Sequence, residues 1–181
     1  MKATPLCIPS VLMIEPQVFI DNRGLFFESF NQDQFKKLVG YKVEFVQDNH
    51  SQSGKCVLRG LHYQMPPKVQ GKLVRVIQGK IFDVAVDLRE SSPSFGQWAS
   101  CILSAENKIQ MWIPEGFAHG FLALSDDTEV LYKTTNPYSP EYQRELLWND
   151  PFLNIKWPLS DILLSEKDSN AKRFEEISYF N

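Results

Sequence analysis

The sequence lacks most of the marks by which common function classes are read. It holds only three histidines and three cysteines in 181 residues. Cys7, Cys56 and Cys101 are scattered and have no CxxC spacing. That pattern argues against a disulfide framework and a cysteine-held metal. The cysteines read as reduced thiols of a bacterial-type cytosol, packed as small hydrophobes. His50, His62 and His119 show no HxH or HExxH spacing, so no metal is expected. No GxSxG, GxGxxG or P-loop occurs, which leaves Rossmann hydride transfer and ATP hydrolysis without support. No apolar run reaches the length of about 18 residues that a membrane span needs. Met1-Lys2-Ala3-Thr4-Pro5 is not followed by the apolar core of a secretory signal, so a cytoplasmic chain is expected. The net charge is −3; nothing in it favours nucleic acid or an anionic membrane as partner.

What is present is globular. The hydrophobic fraction is 43% and the charged fraction 23%, and the length suits one domain over residues 1–181. Period-two alternation dominates the middle of the chain. Phe82, Val84, Val86 and Leu88 share one face, and Ile81, Asp83, Ala85 and Asp87 the other. With Leu73–Ile77 before it, this stretch reads as a hairpin turning at Gln78-Gly79, where Gly79 supplies a positive φ. Further strands are expected at Val57–Gln64, Trp98–Leu103, Lys108–Ile113, Gly120–Leu124 and Glu129–Thr134. Short strands at this spacing imply a β-sandwich or a barrel. Helices are few. One runs from an Asn31 cap to Val39, with Phe35, Leu38 and Val39 as its apolar stripe and Gly40 as its stop. A second short helix is expected after Ser160 or Ser169.

Several polar residues stand inside these apolar strands. His62 alternates with Leu58, Gly60 and Gln64, and Tyr132 shares a face with Val130 and Thr134. On pattern alone they read more readily as satisfied core residues than as a base and an acid facing one interior. Arg23, Arg59, Lys72 and Arg75 suggest a cationic patch for phosphates, with surface salt bridging as the alternative.

A set of motifs in register narrows the reading. The segment Phe19-Ile20-Asp21-Asn22-Arg23-Gly24-Leu25-Phe26-Phe27-Glu28-Ser29-Phe30 resembles the opening of the dTDP-4-dehydrorhamnose 3,5-epimerases. So do Gln47-Asp48-Asn49-His50, Leu58-Arg59-Gly60-Leu61-His62-Tyr63-Gln64, Gln70-Gly71-Lys72, Pro114-Glu115-Gly116-Phe117-Ala118-His119-Gly120 and Trp148-Asn149-Asp150-Pro151. The resemblance runs from about Phe19 to Asp168. It implies a mainly β cupin-type jelly roll with a few short helices, its core at about residues 45–150. N-terminal strands and the short helix would precede that core, and the C-terminal tail would close over the site. It also implies a homodimer without metal or organic cofactor.

By the same resemblance the substrate is dTDP-4-keto-6-deoxy-D-glucose, epimerised at carbons 3 and 5 in dTDP-L-rhamnose synthesis. His62 corresponds to the base, Asp168 of the Lys167-Asp168 pair to its carboxylate partner, Tyr132 to the acid and Lys72 to the cation at the enolate oxygen. Arg23, Glu28, Gln47, Asn49, Arg59, His119 and Lys167 correspond to substrate contacts, and Tyr138 to the ring that stacks on thymine. Gln143 stands where the family often has Glu; it keeps an acceptor oxygen, loses the charge, and bears on the nucleotide rather than on proton transfer. Rival readings are a single-carbon epimerase of another nucleotide 4-keto-6-deoxy sugar, a non-catalytic sugar-nucleotide-binding cupin, and a metal-dependent cupin oxygenase. Arg59 and His62 are three residues apart and face opposite ways in a regular strand, so a shared site requires a bulge or bend at Gly60.

Overall fold

The structure, a computed structural model, describes residues 1–181. Its strands are β1 (Lys2–Pro5), β2 (Leu12–Glu15), β3 (Val18–Asp21), β4 (Gly24–Phe27), β5 (Gln47–Ser53), β6 (Leu58–Gln64) and β7 (Lys72–Gln78). These are followed by β8 (Lys80–Asp87), β9 (Trp98–Ser104), β10 (Gln110–Ile113), β11 (Phe117–Ala123), β12 (Thr128–Thr134) and β13 (Gln143–Glu145). One sheet has the order β1-β2-β10-β7-β12-β5 and the other β13-β6-β11-β8-β9. They face each other as a jelly roll, the mainly β architecture expected above. β3 and β4 form a separate two-stranded hairpin.

Three apolar layers hold the sheets in place. Between them lie Val74, Val76, Ile81, Ala85, Met111, Phe121 and Val130. β8 is buried on both faces, so the alternation read in its sequence separates two cores. Ile81 and Ala85 enter the inter-sheet core, whereas Val84 and Val86 meet Leu146, Leu153, Ile155, Phe174 and Phe180 from the C-terminal segment. That segment is also joined to the sheet by the parallel bridges Val57–Leu163, Leu146–Lys172 and Arg89–Phe180. On the outer face of the first sheet lies α1 (Gln32–Val39). The Asn31 side chain accepts from the Gln34 N–H, and Gly40 closes the helix at φ 86°. Its buried Phe35 meets Trp112 edge to face, with centroids 5.2 Å apart, a geometry that aromatic quadrupoles favour. No helix is long and apolar enough to cross a membrane.

Two expectations are corrected. β7 and β8 do not form a hairpin: β7 pairs with β10 and β12, and β8 with β9 and β11. Gly79 does take a positive φ of 76°, but the turn is a corner that passes the chain from one sheet to the other. Both strands are apolar enough to be flanked on two sides, so each finds its own pair of neighbours. The second helix, α2 (Glu166–Ser169), follows Ser165 rather than Ser160 or Ser169, with the Ser165 side chain accepting from the Asp168 N–H. A single 3-10 turn follows at Phe174–Glu176.

The bend required at Gly60 is present. His62 pairs with His119 and Arg59 with Phe121, so β6 carries one more residue than β11 over this stretch. That bulge moves Arg59, not Leu58, onto the face of His62. Gly60 has φ 131°, and a Cβ there would sit 2.5 Å from Gly120 Cα and 2.9 Å from the His119 carbonyl oxygen. No side chain fits that gap, and L residues rarely adopt that backbone. Gly60→Ala is therefore expected to destabilise the fold by about 2 kcal/mol or more, measured by urea unfolding. An unchanged midpoint would contradict the close approach.

Candidate active site

Between the sheets, where β6, β7, β11, β12 and α2 converge, lies a cavity of about 420 Å³. Arg59, His62, Lys72, His119, Tyr132 and Asp168 line it. A recess of about 230 Å³ lined by Gln47, Asn49 and Tyr138 shares His62, Lys72, Tyr132 and Gln143 with it, so the two form one cleft. His62 comes from the second sheet, and Lys72 and Tyr132 from the first. The fold thus sets the imidazole and the phenol on opposite walls.

His62 Nε2 lies 2.5 Å from Asp168 Oδ1. Burial alone would push the Asp168 carboxyl up, but His62, Ser165 and the backbone at Gly60 hydrogen-bond to it and hold it below the ordinary carboxylate range. An ionised carboxylate only accepts. Nε2–H therefore donates to it, which in the neutral imidazole leaves the lone pair on Nδ1. The polar tail is what completes this pair.

Tyr132 is held protonated, because burial raises its pKa against a smaller lowering by Arg59. Lys72 is 7% exposed, and its ammonium donates to the His62 carbonyl oxygen at 3.3 Å. Burial lowers its pKa to about 8, with Asp83 pulling the other way. The site thus offers an imidazole oriented by a carboxylate, a protonated acid and a cation that is easily neutralised.

The cleft entrance is polar. Arg59 donates to Ser53 Oγ and to the Gln52 carbonyl oxygen, both at 3.0 Å. Gln47 donates to Asn49 Oδ1 at 2.8 Å and accepts from the Tyr138 N–H at 2.9 Å. Tyr138 is 54% exposed, which leaves its ring open to a planar ligand. Gln143 donates to Glu145 Oε1 at 2.8 Å, and Lys167 reaches the same oxygen at 2.6 Å. His119 is buried, with Nε2 2.7 Å from Asp83 Oδ1. Burial lowers its pKa although Asp83 opposes this. No group of three or more His, Cys, Asp or Glu side chains is gathered as a metal site would require.

The proposed cationic patch does not form within the chain. Arg59 and Lys72 share the cavity, but Arg75 is three residues from Lys72 and faces away, its guanidinium 5.5 Å from the Phe27 ring centroid. Arg23 sits in the β3–β4 turn, 85% exposed and paired with Asp21 at 2.6 Å. Glu28 accepts from Asn31 and Gln34 beside α1. Neither Arg23 nor Glu28 lines the cleft. Sequence reasoning overlooked Asp83, Glu145 and Ser165. Only Asp83 carried a signal, as an acid inside an apolar strand.

Comparison with known proteins bears on this geometry. The family model described as dTDP-4-dehydrorhamnose 3,5-epimerase matches residues 5–176. The chain is 61% identical over 173 residues to the dTDP-4-dehydrorhamnose 3,5-epimerase of Shigella flexneri, covering 96% of each chain. With that of Pseudomonas aeruginosa it shares 60% over 181 residues and 99% of each. Among solved structures, the Legionella pneumophila 3,5-epimerase in complex with dTDP-4-keto-L-rhamnose is similar at a TM-score of 0.94. Its identity is 49%, over 98% of this chain and 94% of that one.

The tautomer assigned to His62 is directly observable. Long-range ¹⁵N imidazole spectra should show a protonated Nε2 and a bare Nδ1, and Asp168→Ala should abolish that bias. A mixture of tautomers in the unaltered protein would overturn the assignment.

Proposed function

We propose that this chain, which belongs to the dTDP-4-dehydrorhamnose 3,5-epimerase family, converts dTDP-4-keto-6-deoxy-D-glucose to dTDP-4-keto-L-rhamnose. The ketone at carbon 4 acidifies the protons on carbons 3 and 5. His62 Nδ1 removes such a proton, with Asp168 steadying the imidazolium that forms. The Lys72 ammonium stabilises the enolate oxygen. Tyr132 returns a proton from the other side, inverting the carbon. The placement of His62 and Tyr132 on facing sheets is the observation that carries this reading, since inversion needs an acid and a base on opposite faces of the sugar. Each inversion leaves an imidazolium and a phenolate. Before the second carbon reacts, His62, 32% exposed in its side chain, returns its proton to water and the Tyr132 phenolate takes one back from water.

Arg59, Gln143 and Lys167 at the entrance, with His119 deeper in the cleft, supply donors and acceptors for the diphosphate and sugar, and a guanidinium fork suits a diphosphate. Gln47, Asn49 and Tyr138 suit the base. The three thiols are free, which supports a reducing, cytoplasmic setting. Arg23 and Glu28 would act from a second copy of the chain. The hairpin between them exposes Phe19, Ile20, Leu25 and Phe26, at 55%, 80%, 52% and 70%, an apolar surface suited to a homodimer interface.

In deuterium oxide, wild-type protein should place deuterium at both carbons of the sugar, followed by NMR. His62→Ala should cut exchange at both by about 10²–10⁴-fold. Tyr132→Phe should keep proton abstraction while losing inversion. Wild-type turnover by His62→Ala would remove the base assignment.

Mixing tests the dimer. His62→Ala and Arg23→Ala chains should each be inactive as pure dimers. After exchange of subunits, about one quarter of the sites should recover, because half of the dimers are mixed and each holds one intact site. No recovery, with mixed dimers confirmed by mass, would place Arg23 at its own chain's site or outside any site.

A further inference from the structure

The cleft contains a second histidine–carboxylate pair, and half of its carboxylate is unused. His119 on β11 is the register partner of His62 on β6. Its Nε2 meets Asp83 Oδ1 at 2.7 Å. Asp83 is fully buried at 0% exposure, and its other oxygen, Oδ2, has no hydrogen-bond partner. A carboxylate oxygen left without a donor in the interior is expensive. Lys72 presents the complementary imbalance: a buried ammonium with three donors, one of them given to the His62 carbonyl.

The other groups facing the cavity do not balance Lys72. Arg59 on β6 and Lys167 on α2 are cations. His62 is bound to Asp168, which spends that carboxylate. His119 is kept neutral by burial, Tyr132 on β12 stays protonated, and Gln143 on β13 carries no charge. Asp83 is the carboxylate that acts on Lys72.

We propose that Asp83 is a positioning residue for the reaction: through its free Oδ2 it serves as the counter-charge of Lys72, so that the enolate oxygen meets an ammonium rather than a neutral amine. This builds on the role given to Lys72 above. Asp83 touches no substrate in this reading; it acts through Lys72, while its Oδ1 fixes His119 with Nδ1 as the acceptor.

The test reads Lys72 without substrate. The protein is labelled with ¹³Cε-lysine, and the Lys72 signal is assigned by its loss in Lys72→Met. In unaltered protein this signal should titrate near pH 8. In Asp83→Asn the midpoint should fall by about one unit or more, the size expected when an adjacent opposite charge is removed. The alkaline limb of kcat/KM should move down by the same amount, with most activity kept well below that limb. A structural role alone would lower activity at every pH and leave the lysine midpoint in place. If Asp83→Asn does not fold, the smaller neutral variant Asp83→Ser carries the same expectation. An identical Lys72 midpoint in the folded variant and the unaltered protein would overturn the proposal. Failure to turn over the sugar nucleotide would instead count against the function proposed above, since the lysine titration does not depend on it.

Discussion

The backbones of β6 and β11 pass so close at Gly60 and Gly120 that neither residue has room for a side chain: a Cβ on Gly120 would meet the Arg59 carbonyl oxygen at 2.8 Å. Most of the site depends on this contact. It accommodates the extra residue of β6, which turns both Arg59 and His62 inward. It brings His119 into register with His62, and the backbone at Gly60 hydrogen-bonds to Asp168. A regular ladder would have put Arg59 outside, because side chains alternate along a strand.

The second constraint is electrostatic. The jelly roll has an apolar interior, and the cleft places two imidazoles, an ammonium and a phenol against it. Charges buried there must be paired or lose their charge. The structure answers with Asp168 against His62 and Asp83 against His119, each carboxylate donated by an element other than its histidine's own. Lys72 remains only partly compensated, which is why its proton is loosely held. Loose retention suits the role proposed for Lys72, the stabilisation of a transient anion without permanent binding.

The sequence was most legible where a signal was local. Asn31 and Gly40 bound α1 because a cap and a left-handed stop each act within one turn. The strand alternation in residues 81–88 was read correctly as two faces. Which strands are neighbours was not legible, and β7 and β8 were paired through their short turn although they belong to different sheets. Local pattern shows that a strand is buried on both faces, but not by whom. Arg75 was grouped with Lys72 by composition, whereas the spacing of three residues already separated them. Arg59 shows the converse, since the same spacing from His62 is overridden by the bulge. The pairing of His62 with Asp168 spans 106 positions and is legible through family resemblance alone. Asp83 meets His119 across 36 positions, and no local rule connects them.

The segment that carries Asp168 has a consequence for how the molecule assembles. Chains are synthesised from the N-terminus, so both sheets can form before residues 160–180 are available to join them. Contacts between distant parts of the chain close late, because loop-closure entropy must be overcome first. The histidine of the cleft therefore waits in a nearly finished scaffold for its carboxylate. The cleft should then be completed late in folding, and a newly made chain would lack its histidine–carboxylate pair until residues 160–180 dock.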